Sequence, residues 1–185
     1  MSEWADIRQI AARCGCEAVE LGELHDGAWF ARVVCPTHGS RVQLLANLAE
    51  HDASTDPRVR RLAEEIVATC GAVEVHEMAA ALLAYVQRRV RHTAELVETF
   101  SPTWRTLEIG IGDCDDSARA LVALAMSLGL PVAMQTLPER QTGRDPYHVS
   151  AVFFLDGSWR WADASLAAQL GEHPMDAAKR LERRT

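Results

Sequence analysis

Five cysteines and seven histidines are the side chains of this 185-residue chain with the widest chemical reach. An odd number of thiols, behind an N-terminus (MSEWADIRQIAARCG) without a basic-then-apolar leader, argues against a disulfide framework. Metal binding, nucleophilic catalysis and plain burial are the readings left. Cys114 is set apart by its neighbours. It stands in Gly110-Ile111-Gly112-Asp113-Cys114-Asp115-Asp116, and the apolar residues that follow, Ala118, Leu121, Val122, Leu124, Ala125 and Leu128, have helical spacing. A cysteine at a helix start meets unpaired backbone N–H groups and the positive end of the macrodipole, which favour a thiolate and could hold an oxyanion. Asp113, Asp115 and Asp116 oppose this, because like charges raise a thiol pKa. A reactive Cys114 therefore needs a histidine. The acids also have a capping role of their own, and three acids in one helix start lack the spaced oxygens of a calcium loop.

Strand register selects the histidine. Asp156-Gly157 is a two-residue hairpin signal, so Leu155 pairs with Ser158, and counting back sets Ser150 opposite Asp163. His148 lies two residues from Ser150, on the same face, which makes it a diagonal neighbour of Asp163 within reach of a carboxylate hydrogen bond. Val152, Phe154, Trp159 and Trp161 share that face and are expected to pack on the Cys114 helix.

The elements that must position these groups follow from pattern. Residues 2–13 read as a short helix, 17–35 as a hairpin turning at His25-Asp26-Gly27, and 42–51 as a helix. Asp56-Pro57 is an N-cap and N1 pair for a helix through Val59, Leu62, Ala63, Ile66 and Val67 that ends near Cys70-Gly71. Met78 to Val90 forms another, with Arg88, Arg89 and Arg91 as a solvated face. A loop from Ser101 leads to Cys114. Strands follow at 132–137, 147–155 and 158–163, with a polar loop over 138–146. Helices and an antiparallel sheet make the class α+β. The division is an N-terminal region, 1–52, packed on or appended to a core, 53–185.

The run from Gly112 to Ala118, continued by Leu121, Ala123, Leu124 and Gly129-Leu130-Pro131-Val132, resembles the nucleophile helix of transglutaminase-like proteins. His148 in Pro146-Tyr147-His148-Val149, and Asp163 in Gly157-Ser158-Trp159-Arg160-Trp161-Ala162-Asp163, resemble that superfamily's His and Asp positions. The resemblance covers roughly residues 56–165 and is greatest to short phage and prophage members, although Ala164 stands where a proline is more usual. It implies a papain-like core, a nucleophile helix followed by strands carrying His and Asp. It also implies a cysteine acyl-transfer enzyme with a Cys114, His148, Asp163 triad: a hydrolase, deamidase or cross-linking acyltransferase for a protein or peptide substrate, needing no cofactor. Trp104 would be an oxyanion donor or substrate wall. The alternative is a non-catalytic binding or assembly protein of the same fold, in phage morphogenesis.

Cys14, Cys16, Cys35 and His38, with Cys-x-Cys and Cys-x-x-His spacings, form a second cluster with zinc as its alternative reading. Cys70 reads as a packed small residue, and the histidines at 25, 51, 76, 92 and 173 as solvated. Lys179, Arg180, Arg183 and Arg184 read as a charged helix end. Composition bounds the rest. With 48% hydrophobic and 24% charged residues the chain is an ordinary globular one. Its net charge of −7 argues against general nucleic-acid affinity, and no apolar run approaches a membrane span. A cytoplasmic protein is the expectation.

Overall fold

The structure is a computed structural model that describes residues 2–23, 29–93, 100–137 and 148–182. The element order is α1 (Ser2–Arg13), β1 (Glu17–Glu23), β2 (Trp29–Val34), α2 (His38–Thr55), α3 (Pro57–Cys70), α4 (Val75–Arg89), β3 (Arg91–His92) and α5 (Thr103–Ile109). Then come β4 (Ile111–Gly112), α6 (Cys114–Ser127), β5 (Val132–Leu137), β6 (His148–Leu155), β7 (Ser158–Ala162) and α7 (Pro174–Glu182). The expected hairpin turn at 25–27, the loop 138–146 and Tyr147 lie outside the described residues. The domain boundary expected at 52/53 falls within α2. Among the described residues no single helix is long and apolar enough to cross a membrane.

Helix α6 is the axis of the molecule. Its residues from Asp115 to Ala125 are buried, and Leu121, Val122 and Leu124 are fully so. Small residues at 118, 120, 123 and 125 let neighbours approach on several sides, and α2, α3, α4, α5 and β6 all pack on it. Two apolar clusters result. One joins Val59, Ile66, Leu82 and Val86 of the helical layer to Leu121, Leu124 and Phe153. The other joins Ile7, Ile10, Leu44, Leu45 and Leu48 to Phe100, Ala118 and Val149, so the N-terminal elements cover the Cys114 end of α6.

A buried ion pair fixes this arrangement. Asp52 of α2 accepts two bonds from Arg119 of α6, at 2.9 and 3.0 Å, and one from the Thr103 amide at the start of α5, at 2.9 Å. Local signals set the helix ends as expected: Asp56 caps α3 behind Pro57, and Gly71 ends it at φ 63°.

The sheet order is β5-β6-β7, antiparallel throughout. Asp156 (φ 51°) and Gly157 (φ 76°) make the left-handed two-residue turn, and Leu155 pairs with Ser158 as the sequence predicts. The face that covers α6 is the other one. Val149, Ala151, Phe153 and Leu155 are buried, while Phe154 and Trp159 pair edge to face at 43% and 54% exposure. The His148 face carries Ser150 beside Val152 and Phe154, whereas the Val149 face is apolar throughout, which is why that face covers α6.

Two further expectations are corrected. The stretch after Ser101 contains α5, and a two-residue parallel bridge pairs Arg91 with Ile111 and His92 with Gly112. Arg88, Arg89 and Arg91 are exposed, as expected, and the Arg89 guanidinium also donates to the Leu107 and Glu108 carbonyls at the end of α5. Cys70 is exposed rather than packed.

Candidate active site

The β6–β7 hairpin and the start of α6 build the site. His148 opens β6 and Asp163 directly follows β7, and their side chains meet through His148 Nε2 and Asp163 Oδ2. This is the diagonal contact that the two-residue turn dictates. Asp163 is fully buried, and its other oxygen accepts from the Ser165 amide and hydroxyl, each at 3.0 Å, and from the Leu166 amide at 2.9 Å. Burial pushes its pKa up, but the His148 hydrogen bond and charge and the Leu166 and Ser165 donors outweigh it, leaving the carboxyl below its ordinary value. Behind it, the Gln87 side-chain amide of α4 donates to the carbonyls of Asp163, Leu166 and Ala168, each at 2.8 Å.

Cys114 is the first residue of α6. Asp113 is the N-cap, its carboxylate accepting from the Asp115 amide at 2.8 Å and the Asp116 amide at 3.2 Å, while Asp116 closes a capping box. Gly112 is required by this packing: a Cβ there would lie 2.7 Å from Asp116 Cβ. The Cys114 sulfur faces β6, where the Val149 N–H stabilises its ionised form. The nucleophile candidate is therefore one residue along the strand from the imidazole. Its thiol lies 3.5 Å from Asp115 Oδ1, the acceptor of its proton, and Asp115 is held by Arg41 of α2, whose Nε is 2.8 Å from Oδ2.

Burial first, then the Asp115 charge, push the Cys114 thiol up, and the Val149 N–H offsets this only in part. The helix start thus does not by itself produce a thiolate. Asp115 and Asp113 add to burial, so a thiol acting as a nucleophile here would need a base to take its proton. With Nε2 committed to Asp163, Nδ1 is the nitrogen of His148 left for that role.

Trp104 is placed elsewhere. It stacks under the Arg58 guanidinium, 4.2 Å from the ring centre, and lines a cavity of about 460 Å³ with Leu62, Tyr85 and Arg89 that none of Cys114, His148 and Asp163 lines. The N-terminal thiols are brought near one another. Cys16 and Cys35 interact side chain to side chain, and Cys14 accepts from the Asn47 amide at 3.2 Å. His38 opens α2. Among the described residues, the three ligand atoms lying within 4.8 Å of one another belong to Asp113, Cys114 and Asp115. These are already engaged: Asp113 in the cap, Asp115 with Arg41. Sequence reasoning passes over Arg41, Gln87 and Asp52, whose partners lie far along the chain and leave no local pattern.

A family model, the transglutaminase-like superfamily, matches residues 60–164. Among solved structures the chain is similar to a candidate cysteine protease from Cytophaga hutchinsonii, at 20% identity over 58% of this chain and 37% of that one, with a TM-score of 0.49. It is similar in fold to a candidate protease from Parabacteroides distasonis, at 12% identity over 68% of this chain and 26% of that one, TM-score 0.51. A structure described as a TGase is similar at 12% identity over 91% of this chain and 50% of that one, TM-score 0.45. This chain thus spans between 26% and 50% of the length of those structures. No curated protein matches it.

Proposed function

The chain belongs to the transglutaminase-like superfamily, and from that premise we propose that it is a cysteine-dependent acyl-transfer enzyme acting on an amide of a protein or peptide. The observation that carries this reading is the His148–Asp163 pair at the strand end whose next amide, Val149, faces the Cys114 sulfur. Cys114 Sγ attacks the carboxamide or peptide carbonyl as its proton passes to His148 Nδ1. Asp163 holds the ring in the tautomer with Nε2 protonated and stabilises the imidazolium that forms. The oxyanion of the tetrahedral intermediate is received by the Cys114 N–H. That is the first-turn amide left over once Asp113 has taken those of Asp115 and Asp116, and the Asp113 carbonyl that of Ser117. Collapse breaks the C–N bond, the amine leaves with the proton from His148, and a thioester remains. Water or a second amine then attacks that thioester with His148 again as base. Peptide hydrolysis and deamidation both end with water and differ in the amine that leaves first, whereas cross-linking ends with a second amine.

The test is intact-mass analysis after incubation with candidate protein substrates, with and without a small primary amine, comparing wild type with Cys114→Ala. A thioester adduct, or an amine incorporated into a substrate, is expected for wild type alone. The competing reading, a binding or assembly module of the same fold in phage morphogenesis, is supported by the exposed Phe154–Trp159 pair on the outer sheet face. On that reading Cys114→Ala would retain whatever association the wild type shows, and no thioester would form.

A further inference from the structure

We propose that Arg41 and Asp115 form a positioning pair for the nucleophile: Asp115 holds the Cys114 thiol through one oxygen while Arg41 grips the other, fixing the carboxylate and countering its charge. The inference deepens the acyl-transfer reading above and rests on it for its purpose, though its test needs no substrate.

The placement starts in the sequence. Thr37 caps α2, accepting from the Ser40 amide at 3.0 Å and giving its carbonyl to the Arg41 amide at 3.1 Å, which sets Arg41 in the first turn. The guanidinium then passes beside the Phe100 ring, 5.8 Å from its centre, and reaches Asp115 Oδ2 with both Nε and Nη2. Asp115 is 2% exposed. A first-turn acid that served only the helix dipole would sit in water, where such a residue is stable unaided. A buried carboxylate 3.5 Å from a thiol is a different matter, because it raises the cost of the thiolate unless a cation faces it. Arg41 is that cation. Two donors on one oxygen also stop the carboxylate from rotating, so Oδ1 stays turned to Sγ and the sulfur is held at the helix start.

Among the described residues, charged and titratable groups reach this point from three elements and the hairpin end. From α6 come Asp113, committed to the cap, and Asp116, facing the Asp113 amide. From β6 comes His148, backed by Asp163. From the end of the hairpin comes the Cys35 thiol, which feels the Arg41 charge. Arg41 is the cation contributed by α2.

The experiment is the pH dependence of Cys114 alkylation by iodoacetamide, read at the Cys114 peptide by mass spectrometry so that the other four thiols do not interfere. Asp115→Asn removes a negative charge and should move the profile to lower pH, raising the rate at pH 7.5 by about three- to tenfold. Arg41→Met removes this cation from Asp115 and should lower that rate by about tenfold, with Arg41→Lys recovering most of it. Because Arg41→Met can cost folding, the double variant Arg41→Met/Asp115→Asn decides the matter. If Arg41 acts through Asp115, the double variant follows the Asp115→Asn profile. Single variants that fold and both keep the wild-type profile would overturn the proposal. So would a double variant about tenfold slower than Asp115→Asn, since Arg41 would then act on the sulfur directly. His148→Ala separates the two readings. If it leaves Cys114 alkylation unchanged the general-base role fails, whereas opposite shifts from Arg41 and Asp115 would still establish the pair.

Discussion

Cys114 and Cys35 pack against the same apolar cluster, and both are partly buried. Burial is the leading reason that each thiol is harder to ionise than a free one. The Cys35 thiol is pushed up to about 12, with Cys16 and Cys14 beside it adding to the effect and Arg41 opposing it. What differs is the company. Cys35 faces other thiols, which can neither take its proton nor hold an anion. Cys114 faces a strand end whose imidazole is already oriented by a buried carboxylate. On the proposed reading, reactivity is supplied by a second element rather than by the cysteine's own acidity. On the same reading the helix start contributes an amide for the oxyanion, while burial, Asp115 and Asp113 oppose the thiolate.

Several measurements would break or sharpen this contrast. The largest effect is expected from Cys114→Ala, which should abolish acyl transfer, while Cys35→Ser should leave turnover within about twofold, a surface-like change. If Cys35→Ser removes activity, the contrast is wrong. His148→Ala should lower kcat by about 10²- to 10⁴-fold and slow alkylation of Cys114 without altering that of Cys35. Next comes the scaffold. Arg119→Met strips the partner from buried Asp52 and should destabilise the fold by about 3–5 kcal/mol in urea unfolding, while pairing it with Asp52→Asn should recover much of the loss. A change below about 1 kcal/mol would show that α2 and α6 do not depend on that pair. A smaller effect concerns acid. The folded-state pKa of Asp163 is depressed, so its contribution to stability is present above the ordinary carboxylate value and lost as pH falls through the folded value. The difference in Tm between wild type and Asp163→Asn should therefore shrink as pH drops below about 4. A difference that stays constant from pH 6 to pH 3 would mean that the Asp163 carboxyl is not depressed in the folded protein.

The parts of the fold legible in the sequence are those written in short-range chemistry. Asp56-Pro57 announces a helix, Asp156-Gly157 a tight hairpin, and the hairpin register alone brings His148 to Asp163. The α+β class and the nucleophile helix followed by strands with His and Asp are as expected. What escaped is of another kind. Arg41 and Asp115 are 74 residues apart, and Arg119 and Asp52 are 67 apart, so no local pattern marks them. A two-residue parallel bridge has no period to detect. Helix α5 is seven residues long and follows a proline, which reads as a break. The face of β6 that covers α6 is misread because Val152, Phe154, Trp159 and Trp161 outweigh His148 and Ser150 on the outer face.

Gln87 gives the His–Asp pair a meaning for design. Its amide carries two hydrogens yet serves three carbonyls in the turn after β7, so the tether is shared among them and holds a segment rather than one atom. The hairpin carries both members of the pair but not their anchor, which sits on a helix, 76 residues before Asp163. Moving the site to another scaffold would therefore require transplanting α4 with it. A graft of strands and turn alone would bring the right residues without the grip that keeps the carboxylate still.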